Sequence, residues 1–418
     1  MPKVFWAAIL LSAGVWGANC LWGAFESYSQ IRRPPQSRSW PIDLHSRWVE
    51  VQYVLRGRNP YDVAFAHVSR FHDIEPRGQQ TASRNSDVFS DLGPPGGIDY
   101  PPWSFPTLTI FLWPGATDCR WYYALWLAAG LAFVAAWTAR QMRDVATRSA
   151  LLTAAVVISV LACSAWGKSI TVGNNPLIVV GFLMLAFELL VRNKNILAGL
   201  AMGAALLKPT VAGPFLIPLL LAGRWTALAS AFGFISCESL LTWVLTKTNP
   251  IEMLRQMMSA GNLFIGSGFG PVQYLIHAGV FPSHAAALAA AGVLLMAAPG
   301  FWALRRMSLL AQFSFAAIVA RFWAYHLDYD NAVLSFALVY LAIQLEQNRT
   351  SENLALFLFM AITLWMSGWE GELDYRIQIL DILTWLAVGV SIVKVAVNPG
   401  PGAEQRMASD KLAVPNLG

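Results

Sequence analysis

Asp43 begins a segment of the chain that could carry acid–base chemistry. The following residues, 44–55, have apolar side chains at helical spacing. This pattern predicts a helix along a membrane surface, with Asp43 at its N-cap or in its first turn. A carboxylate held at such an interface is partly desolvated and could act as a general base. Capping is the commoner reason for an aspartate at a helix start, so the residue types leave both roles open.

Lys208 and Pro209 interrupt an apolar stretch, residues 196–222. An ammonium group at mid-membrane depth costs roughly 2.5–3.5 kcal/mol, so we expect Lys208 to face a polar cavity and to bind an anion. The alternative is a lysine whose long side chain reaches the nearby membrane surface.

Residues 321–330 concentrate ionisable and aromatic side chains between two apolar segments. Arg321 could bind a phosphate group, and His326 could donate a hydrogen bond to it. A belt of aromatic residues with charged anchors at the membrane interface is the competing interpretation. Asp328 and Asp330 have the spacing of a metal-binding pair, but this pattern is too weak to predict a metal. The four scattered cysteines indicate neither a zinc site nor disulfides.

Two further segments carry polar or aromatic groups at the start of apolar runs. Asn174 and Asn175 precede Pro176, and their side-chain amides could bind sugar hydroxyls or cap a helix. Residues 100–103, Tyr-Pro-Pro-Trp, open an apolar stretch that ends at Trp113. Because this stretch is too short to cross a membrane comfortably, it is expected to be interfacial or re-entrant.

The elements that must position these residues are membrane helices. Of the 418 residues, 56% are hydrophobic and only 13% are charged, and the mean hydropathy is +0.48. This composition excludes an ordinary cytosolic enzyme. The net charge of +5 is too small to indicate a nucleic-acid surface.

Hydropathy and basic flanks predict an all-α, polytopic bundle of about 10–13 transmembrane helices. The predicted crossings are residues 4–24, 119–139, 150–166, 174–191, 226–246, 283–304, 308–323, 331–346, 354–369 and 376–396. Residues 196–222 are expected to fold back at Lys208 as a hairpin, because a hairpin keeps Arg192, Lys194 and Arg224 on one side of the membrane. Both termini are then cytoplasmic.

This topology makes residues 1–396 a single membrane domain and residues 397–418 a cytoplasmic tail. Residues 25–118 form a long first external loop that carries the interfacial helices. Within it, residues 76–99 are rich in turn-forming residues and are expected to be exposed. The external side also receives an acidic turn at 370–374 and a glycine-rich segment at 266–270, which we interpret as a flexible loop over the site.

Glu238 supports an alternative function. It lies inside the predicted crossing 226–246, and an intramembrane carboxylate could carry a proton in a secondary transporter or a lipid flippase. A transporter of this length usually contains two related halves, and no internal repeat mirrors the long early loop. A non-catalytic membrane scaffold is a third interpretation.

The order of these features resembles that of a known family. The segments are DLHSRWVEVQYVLRGRNPYD from residue 43, YPPW from 100, GNNPLIVVGFLMLA from 173, AGLAMGAALLKPT from 198 and FWAYHLDYD from 322. In this order they resemble glycosyltransferase family 87 (DUF2029), the polyprenyl-phosphate-dependent transferases of the GT-C superfamily. The resemblance covers residues from about 40 to 345.

The resemblance implies a GT-C bundle whose first external loop carries a catalytic aspartate, which falls on Asp43. It further implies inverting transfer of a sugar, often mannose or another hexose, from a polyprenyl-phosphate donor to a lipid or glycan acceptor. The reaction would take place at the external, periplasmic face of the cell (inner) membrane. No cofactor is expected.

The same resemblance places two more of the candidate site residues. The Lys-Pro element falls on Lys208 and the late histidine on His326, and together with Arg321 these residues would bind the donor phosphate. We further assign six residues to the sugar or the acceptor: Tyr100, Trp103, Asn174, Asn175, Asp328 and Asp330. The last two, Asp328 and Asp330, have no counterpart in the family's late motif. Where the family often has Gly-Gln-x-Asn, this chain has Gly-Asn-Asn at 173–175.

Overall fold

The computed structural model describes residues 3–29, 42–64, 100–113, 116–147, 149–264, 270–324, 326–366 and 375–397. Every regular element in these ranges is helical, which confirms the all-α prediction. The segments 76–99 and 266–269, the acidic turn at 370–374 and the tail from residue 398 onward lie outside the described residues.

The α-helices are numbered here in chain order. They are α1 (Lys3–Ser29), α2 (Ile42–Leu55), α3 (Ser104–Leu112), α4 (Ala116–Gln141), α5 (Arg143–Ala146), α6 (Ala150–Leu161), α7 (Ser164–Val172), α8 (Pro176–Val191), α9 (Asn195–Ala205), α10 (Pro209–Ala212), α11 (Leu216–Leu221), α12 (Trp225–Thr246), α13 (Pro250–Phe264), α14 (Pro271–His277), α15 (Pro282–Leu304), α16 (Leu309–Phe322), α17 (Ser335–Gln347), α18 (Ser351–Met366) and α19 (Tyr375–Val397). The 3₁₀ helices Gly213–Phe215 and Asp328–Leu334 lie between them.

Within the described ranges, six helical stretches are long and apolar enough to cross a membrane. They are Lys3–Glu26, Cys119–Gln141, Ala150–Val172, Trp225–Thr246, His284–Leu304 and Gln378–Val397. This finding confirms a multi-pass membrane protein. The third stretch joins α6 and α7, so helical structure extends beyond residue 166, where the predicted crossing ends.

Several predicted crossings are shorter helices in the interior of the bundle. The side chains of α16 and α17 are buried around most of their circumference, including Phe313, Ala317, Phe336 and Leu338. A helix that is apolar on all sides is expected in a protein core as well as in a membrane, and hydropathy cannot separate the two. These helices pack through aromatic contacts, such as the edge-to-face pair of Phe187 and Phe313, whose ring centroids are 5.5 Å apart.

The segment 195–222 folds back on itself, which confirms the predicted hairpin. The helix breaks before Pro209, where Lys208 has non-helical backbone angles (φ −124°, ψ 82°), because proline disfavours the helical conformation of the preceding residue. The two ends of the segment meet, since Arg224 Nη1 donates to Asn193 Oδ1 at 3.0 Å and to Asn195 Oδ1 at 3.3 Å.

Helix α2 forms where the sequence predicts it but is covered more deeply than a surface helix. Leu44, Val49, Val51 and Tyr53 are fully buried, and the charged Glu50 is buried with them. Helices α3, α4, α7 and α12 contact it. Its position is therefore fixed by packing on several sides.

Glycines allow α9 to lie directly against α12. A Cβ atom at Gly199 would overlap the backbone oxygen of Ala227 and lie 2.6 Å from Ser230 Cβ, and one at Gly203 would lie 2.9 Å from Phe234 Cβ. Their spacing of four residues puts both glycines on one helix face, as in the small-residue contacts of membrane helices.

We predict that Gly199→Ala lowers the melting temperature of the purified protein, because an extra methyl group in this contact costs roughly 1–3 kcal/mol. Gly233→Ala on α12 is the matched control, since a Cβ atom there has nothing within 4 Å. The control should keep or raise the stability, because alanine favours a helix. Equal melting temperatures for Gly199→Ala and the wild type would contradict the close contact.

Candidate active site

Asp43 contacts a residue from a distant part of the chain. Asn174 Nδ2 donates a hydrogen bond of 2.7 Å to Asp43 Oδ2. Asp43 lies in the first turn of α2, and Asn174 lies in the junction between α7 and α8. Gly173 ends α7 in the left-handed conformation (φ 72°), which glycine adopts without a steric penalty. An aspartate that only caps a helix needs contacts within that helix alone. The Asp43 carboxylate also accepts a hydrogen bond from the junction between α7 and α8.

A network of phenol and amide groups supports this contact. Tyr100 Oη donates to Asn174 Oδ1 at 3.2 Å and accepts from Asn175 Nδ2 at 3.1 Å, and Tyr123 Oη donates to Asn175 Oδ1 at 2.8 Å. All of these partners except Asp43 itself are buried. Because a fully satisfied buried network is rigid, it fixes the position of the Asp43 carboxylate.

The network changes the interpretation of the two asparagines. Their amide groups contact the protein, and Asn174 and Asn175 are only 3% and 1% exposed. This geometry suits residues that position Asp43. Direct sugar binding by these amides stays a prediction.

Arg47 and Glu50 form a buried ion pair that the sequence analysis did not identify. Arg47 Nη1 lies 2.8 Å from Glu50 Oε2, and its guanidinium carbon lies 4.6 Å from the ring centroid of Tyr100. With Asp43 they have the spacing i, i+4, i+7, which places all three on one face of α2. In the sequence, this spacing of three charged residues was the feature that could have indicated the ion pair.

Asp330 joins Lys208 to His326. Lys208 Nζ lies 2.6 Å from Asp330 Oδ1, and His326 Nδ1 lies 3.1 Å from Asp330 Oδ2. Lys208 also lies over the ring of Tyr329, with 4.6 Å between Nζ and the ring centroid. An ammonium group has three donors, so the pair with Asp330 leaves Lys208 able to bind a further anion.

Other charged groups surround this pair. Arg321 is 1% exposed, and its Nη1 lies 3.5 Å from the carbonyl oxygen of Leu327. Lys168 on α7 forms an ion pair with Asp328. Each of the two aspartates thus holds a lysine. Among the described residues no group of three His, Cys, Asp or Glu side chains is placed to hold a metal ion.

Burial and the neighbouring charges together determine the protonation of His326. Burial lowers the pKa of His326 to about 4, with the positive charges of Arg321 and Lys208 adding to the effect and Asp330 opposing it. Burial alone would raise the pKa of the Asp330 carboxyl, but Lys208 and His326 outweigh it and the pKa lies below its usual range. Asp330 is therefore a carboxylate that accepts from Nδ1–H of a neutral imidazole.

His326 consequently presents a lone pair at Nε2. This atom is buried and has no hydrogen-bond partner in the part of the chain that the structure describes. A neutral imidazole in this tautomer accepts at Nε2 and cannot donate there. The predicted donation to a phosphate therefore requires that His326 first take up a proton, which a nearby phosphate charge favours.

The two groups of polar residues share structural elements. Trp103 Nε1 donates to the backbone oxygen of Leu206 at 2.9 Å, so the 100–103 segment reaches from the Asp43 network to the turn at Lys208. Helix α7 carries Lys168 near one group and leads to Asn174 in the other. The predicted site residues therefore gather at one end of the bundle.

Glu238 takes no part in these networks. Its Oε2 accepts from the backbone nitrogen of Thr107 at 2.8 Å and from Thr107 Oγ1 at 3.1 Å. These bonds attach the first turns of α3 to α12. The carboxylate on which the transporter hypothesis depends is thus engaged in a structural contact.

We predict that stability depends on His326 between pH 6.5 and 4. An unfolded histidine takes up a proton below about pH 6.5, whereas the folded residue does so only near pH 4. Stability should therefore fall by up to about 3 kcal/mol as the pH falls through this window. The lowered pKa of Asp330 causes a further loss of folding stability, but only at a pH below this window.

Melting temperatures measured at a series of pH values test this assignment. His326→Asn keeps a donor toward Asp330 but cannot titrate, so its profile should be flatter than that of the wild type. His284→Asn, which changes an exposed imidazole on α15, is the control and should keep the wild-type profile. A His326→Asn profile as steep as the wild-type profile would refute a neutral, buried His326.

A comparison with known families identifies the protein's class. The sequence profile of glycosyltransferase family 87 matches residues 99–342, which is more than half of the chain. The matched range contains the site residues from Tyr100 to Asp330, and Asp43 precedes it. A comparison with curated proteins gives no match. The chain therefore belongs to glycosyltransferase family 87, and it is a multi-pass membrane glycosyltransferase.

Proposed function

We propose that the protein transfers a sugar, mannose or another hexose, from a polyprenyl-phosphate donor to a lipid or glycan acceptor, with inversion and with Asp43 as the general base. The observation that carries the proposal is the hydrogen bond from Asn174 Nδ2 to Asp43 Oδ2 (2.7 Å). It fixes a half-buried carboxylate at the end of the bundle where the cationic side chains also lie.

The proposed reaction is a single displacement at the anomeric carbon. Asp43 accepts the proton of the acceptor hydroxyl, and the acceptor oxygen attacks the carbon from the face opposite the phosphate. The bond between the sugar and the phosphate oxygen breaks, and polyprenyl phosphate leaves with the bonding electron pair. One attack from the opposite face inverts the configuration.

Cations are needed where the leaving phosphate gains charge. Lys208 and Arg321 are the proposed ligands of that phosphate, because preorganised positive groups in a dry site stabilise developing negative charge. The support is the burial of Arg321 and the remaining donors of Lys208, whose side chain is 12% exposed. His326 joins them once it is protonated.

The sugar and the acceptor are proposed to bind between the two polar groups. The half-buried Trp103 offers an aromatic face there, and Tyr100, Asn174 and Asn175 hold the base in place. Asp328 and Asp330 contribute to the sugar site indirectly, because they fix the positions of the lysines that they bind.

We assign the site to the external, periplasmic face of the cell membrane. At the opposite end of α8 from Asn175, Glu188 binds Arg140 and Arg192, with N–O distances of 2.9 and 3.5 Å. Clustered basic residues at that end favour a cytoplasmic location by the positive-inside rule. The polyprenyl donor would enter from the bilayer.

Asp43→Asn tests the proposed base. The substitution keeps the size and much of the capping ability but removes the proton acceptor, so transfer of radiolabelled mannose from polyprenyl-phosphate-mannose should fall by about 10²–10⁴-fold. Thermal stability and donor binding should stay near the wild-type values. Near-normal transfer by this variant would remove Asp43 from the mechanism.

Glu252→Gln is the matched control for that experiment. Glu252 is also an acidic residue in the first turn of a helix, α13, but it is exposed and pairs with Arg255 at 3.6 Å. The control should keep wild-type transfer. A comparable loss in both variants would point to an effect of surface charge instead of base catalysis.

Lys208 is tested together with its partner. Lys208→Met alone leaves the Asp330 carboxylate buried without its cation, so the informative variant is Lys208→Met with Asp330→Asn. Donor binding by this double variant should weaken by roughly 1.5–3 kcal/mol, the worth of a charge-assisted hydrogen bond.

The control for donor binding is Lys247→Met, which removes an exposed cation at the end of α12. Its donor affinity should match that of the wild type. Unchanged affinity in the Lys208 double variant would reassign Lys208 to a purely structural ion pair.

A further inference from the structure

Two cavities lie along α1, one at the start of the helix and one beside the residues that follow. The first has a volume of about 500 Å³ and is lined by charged, polar and apolar side chains at the start of α1, at the start of α6 and at the end of α17. Its lining includes Lys3, Trp6, Ser149, Leu345, Glu346 and Arg349.

The second cavity is an apolar groove of about 680 Å³ that begins at the next residue of α1. Its lining includes Ala7, Leu10, Leu11, Gly14 and Val15, with Ile158 of α6 on the other side. From Trp6 to Ala18 the helix rises about 18 Å, which is close to the ~15 Å depth of one leaflet of the hydrocarbon core. Because Lys3 and Ala7 lie four residues apart on one face of α1, the charged cavity and the apolar groove adjoin along the helix over about the depth of a leaflet.

The direction of α1 places the charged cavity far from Asp43. Helices α1 and α6–α7 run side by side, because Gly14 approaches Ile158, Gly17 approaches Ala162 and the backbone of Cys20 approaches Gly167. The start of α6 and the end of α7 are separated by roughly 30 Å of helix. Asn174 follows the end of α7, so the cavity at Lys3 belongs to the other membrane face.

We propose that this surface binds an anionic glycerophospholipid of the leaflet opposite the active site. Lys3 and Arg349 hold its phosphate, and one acyl chain lies in the groove along α1. The charge supports an anion: the cavity contains the two cations and a single carboxylate, Glu346, which lies 2.7 Å from Arg349 Nη2. The groove supports a lipid, because it runs along a membrane-crossing helix at the depth of the acyl chains, directly after the residues that line the charged cavity.

The polyprenyl-phosphate of the proposed reaction does not fit this surface. Its phosphate must lie beside Asp43 and Lys208, at the far end of α7, whereas the cations at this cavity lie where α1 begins. The lipid site is independent of the sugar-transfer reaction, and its test does not use the transferase assay.

Native mass spectrometry of the purified full chain tests the proposal. We expect phosphatidylglycerol to bind at least tenfold more tightly than phosphatidylcholine with the same acyl chains. Each cation near an anionic lipid is worth about fivefold in affinity, so Lys3→Gln with Arg349→Gln should lower phosphatidylglycerol affinity by roughly 10–30-fold. Lys194→Gln, an exposed cation at the start of α9, should leave that affinity unchanged.

The groove is tested separately by filling it. Gly14→Leu should weaken the binding of both lipids. A Cβ atom at Gly14 would make an ordinary contact of 3.9 Å with Ile158 Cγ2, and a wild-type melting temperature of the variant checks that the larger side chain is accommodated. Gly23→Leu on the same helix, where a Cβ atom has nothing within 4 Å, should bind both lipids as the wild type does.

Three results would overturn the proposal. Equal affinity of the wild type for the two lipids would remove the role of the cations. Wild-type binding by Gly14→Leu would remove the groove. Displacement of bound phosphatidylglycerol by inorganic phosphate at equal concentration would show a simple anion site instead of a lipid site.

Discussion

The buried carboxylate of Asp330 is the constraint on which the polar end of this bundle depends. A charge inside an apolar bundle is tolerated only when partners satisfy it, and Asp330 gives one oxygen to Lys208 and the other to His326. These partners come from the hairpin turn and from the segment after α16. One side chain therefore fixes the relative position of two elements that are distant in sequence, and it holds the histidine ring through Nδ1.

Short interior helices bring the other site groups to the same end. Helix α7 ends at a left-handed glycine, α8 starts at Pro176, and the hairpin breaks before Pro209. Each break frees backbone and side-chain polar groups where a continuous helix would hide them. The 100–103 segment then spans the gap between the two polar groups through Tyr100 and Trp103. The site is thus built from interruptions in helices, which are the places where a membrane protein can present polar groups.

The sequence predicts much of this fold because apolar composition indicates which segments cross the bilayer and basic flanks indicate on which side the segments begin and end. The positive-inside rule and Pro209 were enough to predict the hairpin, which the contacts of Arg224 confirm. The pairings could not be derived in the same way. Lys208 and Asp330 are 122 residues apart, and the local sequence around either residue does not indicate that the other is its partner. Lys168 was not identified from the sequence for a different reason. The predicted crossing ends at residue 166, whereas helix α7 continues to Val172 and carries Lys168.

The geometry around His326 suits a leaving group that gains charge. In the proposed donor the phosphate is a diester with one negative charge, and after the sugar leaves it would carry a second ionisable oxygen. Burial and the nearby cations keep His326 neutral in the free protein, but an additional negative charge close to Nε2 favours the protonated ring. In the proposed reaction the imidazole can therefore take up a proton as the phosphate charge develops, with Asp330 holding the ring through Nδ1. A histidine with an ordinary pKa would already be partly charged in the resting site at mildly acidic pH. In the proposed reaction, the lowered pKa therefore keeps His326 uncharged until the phosphate leaves.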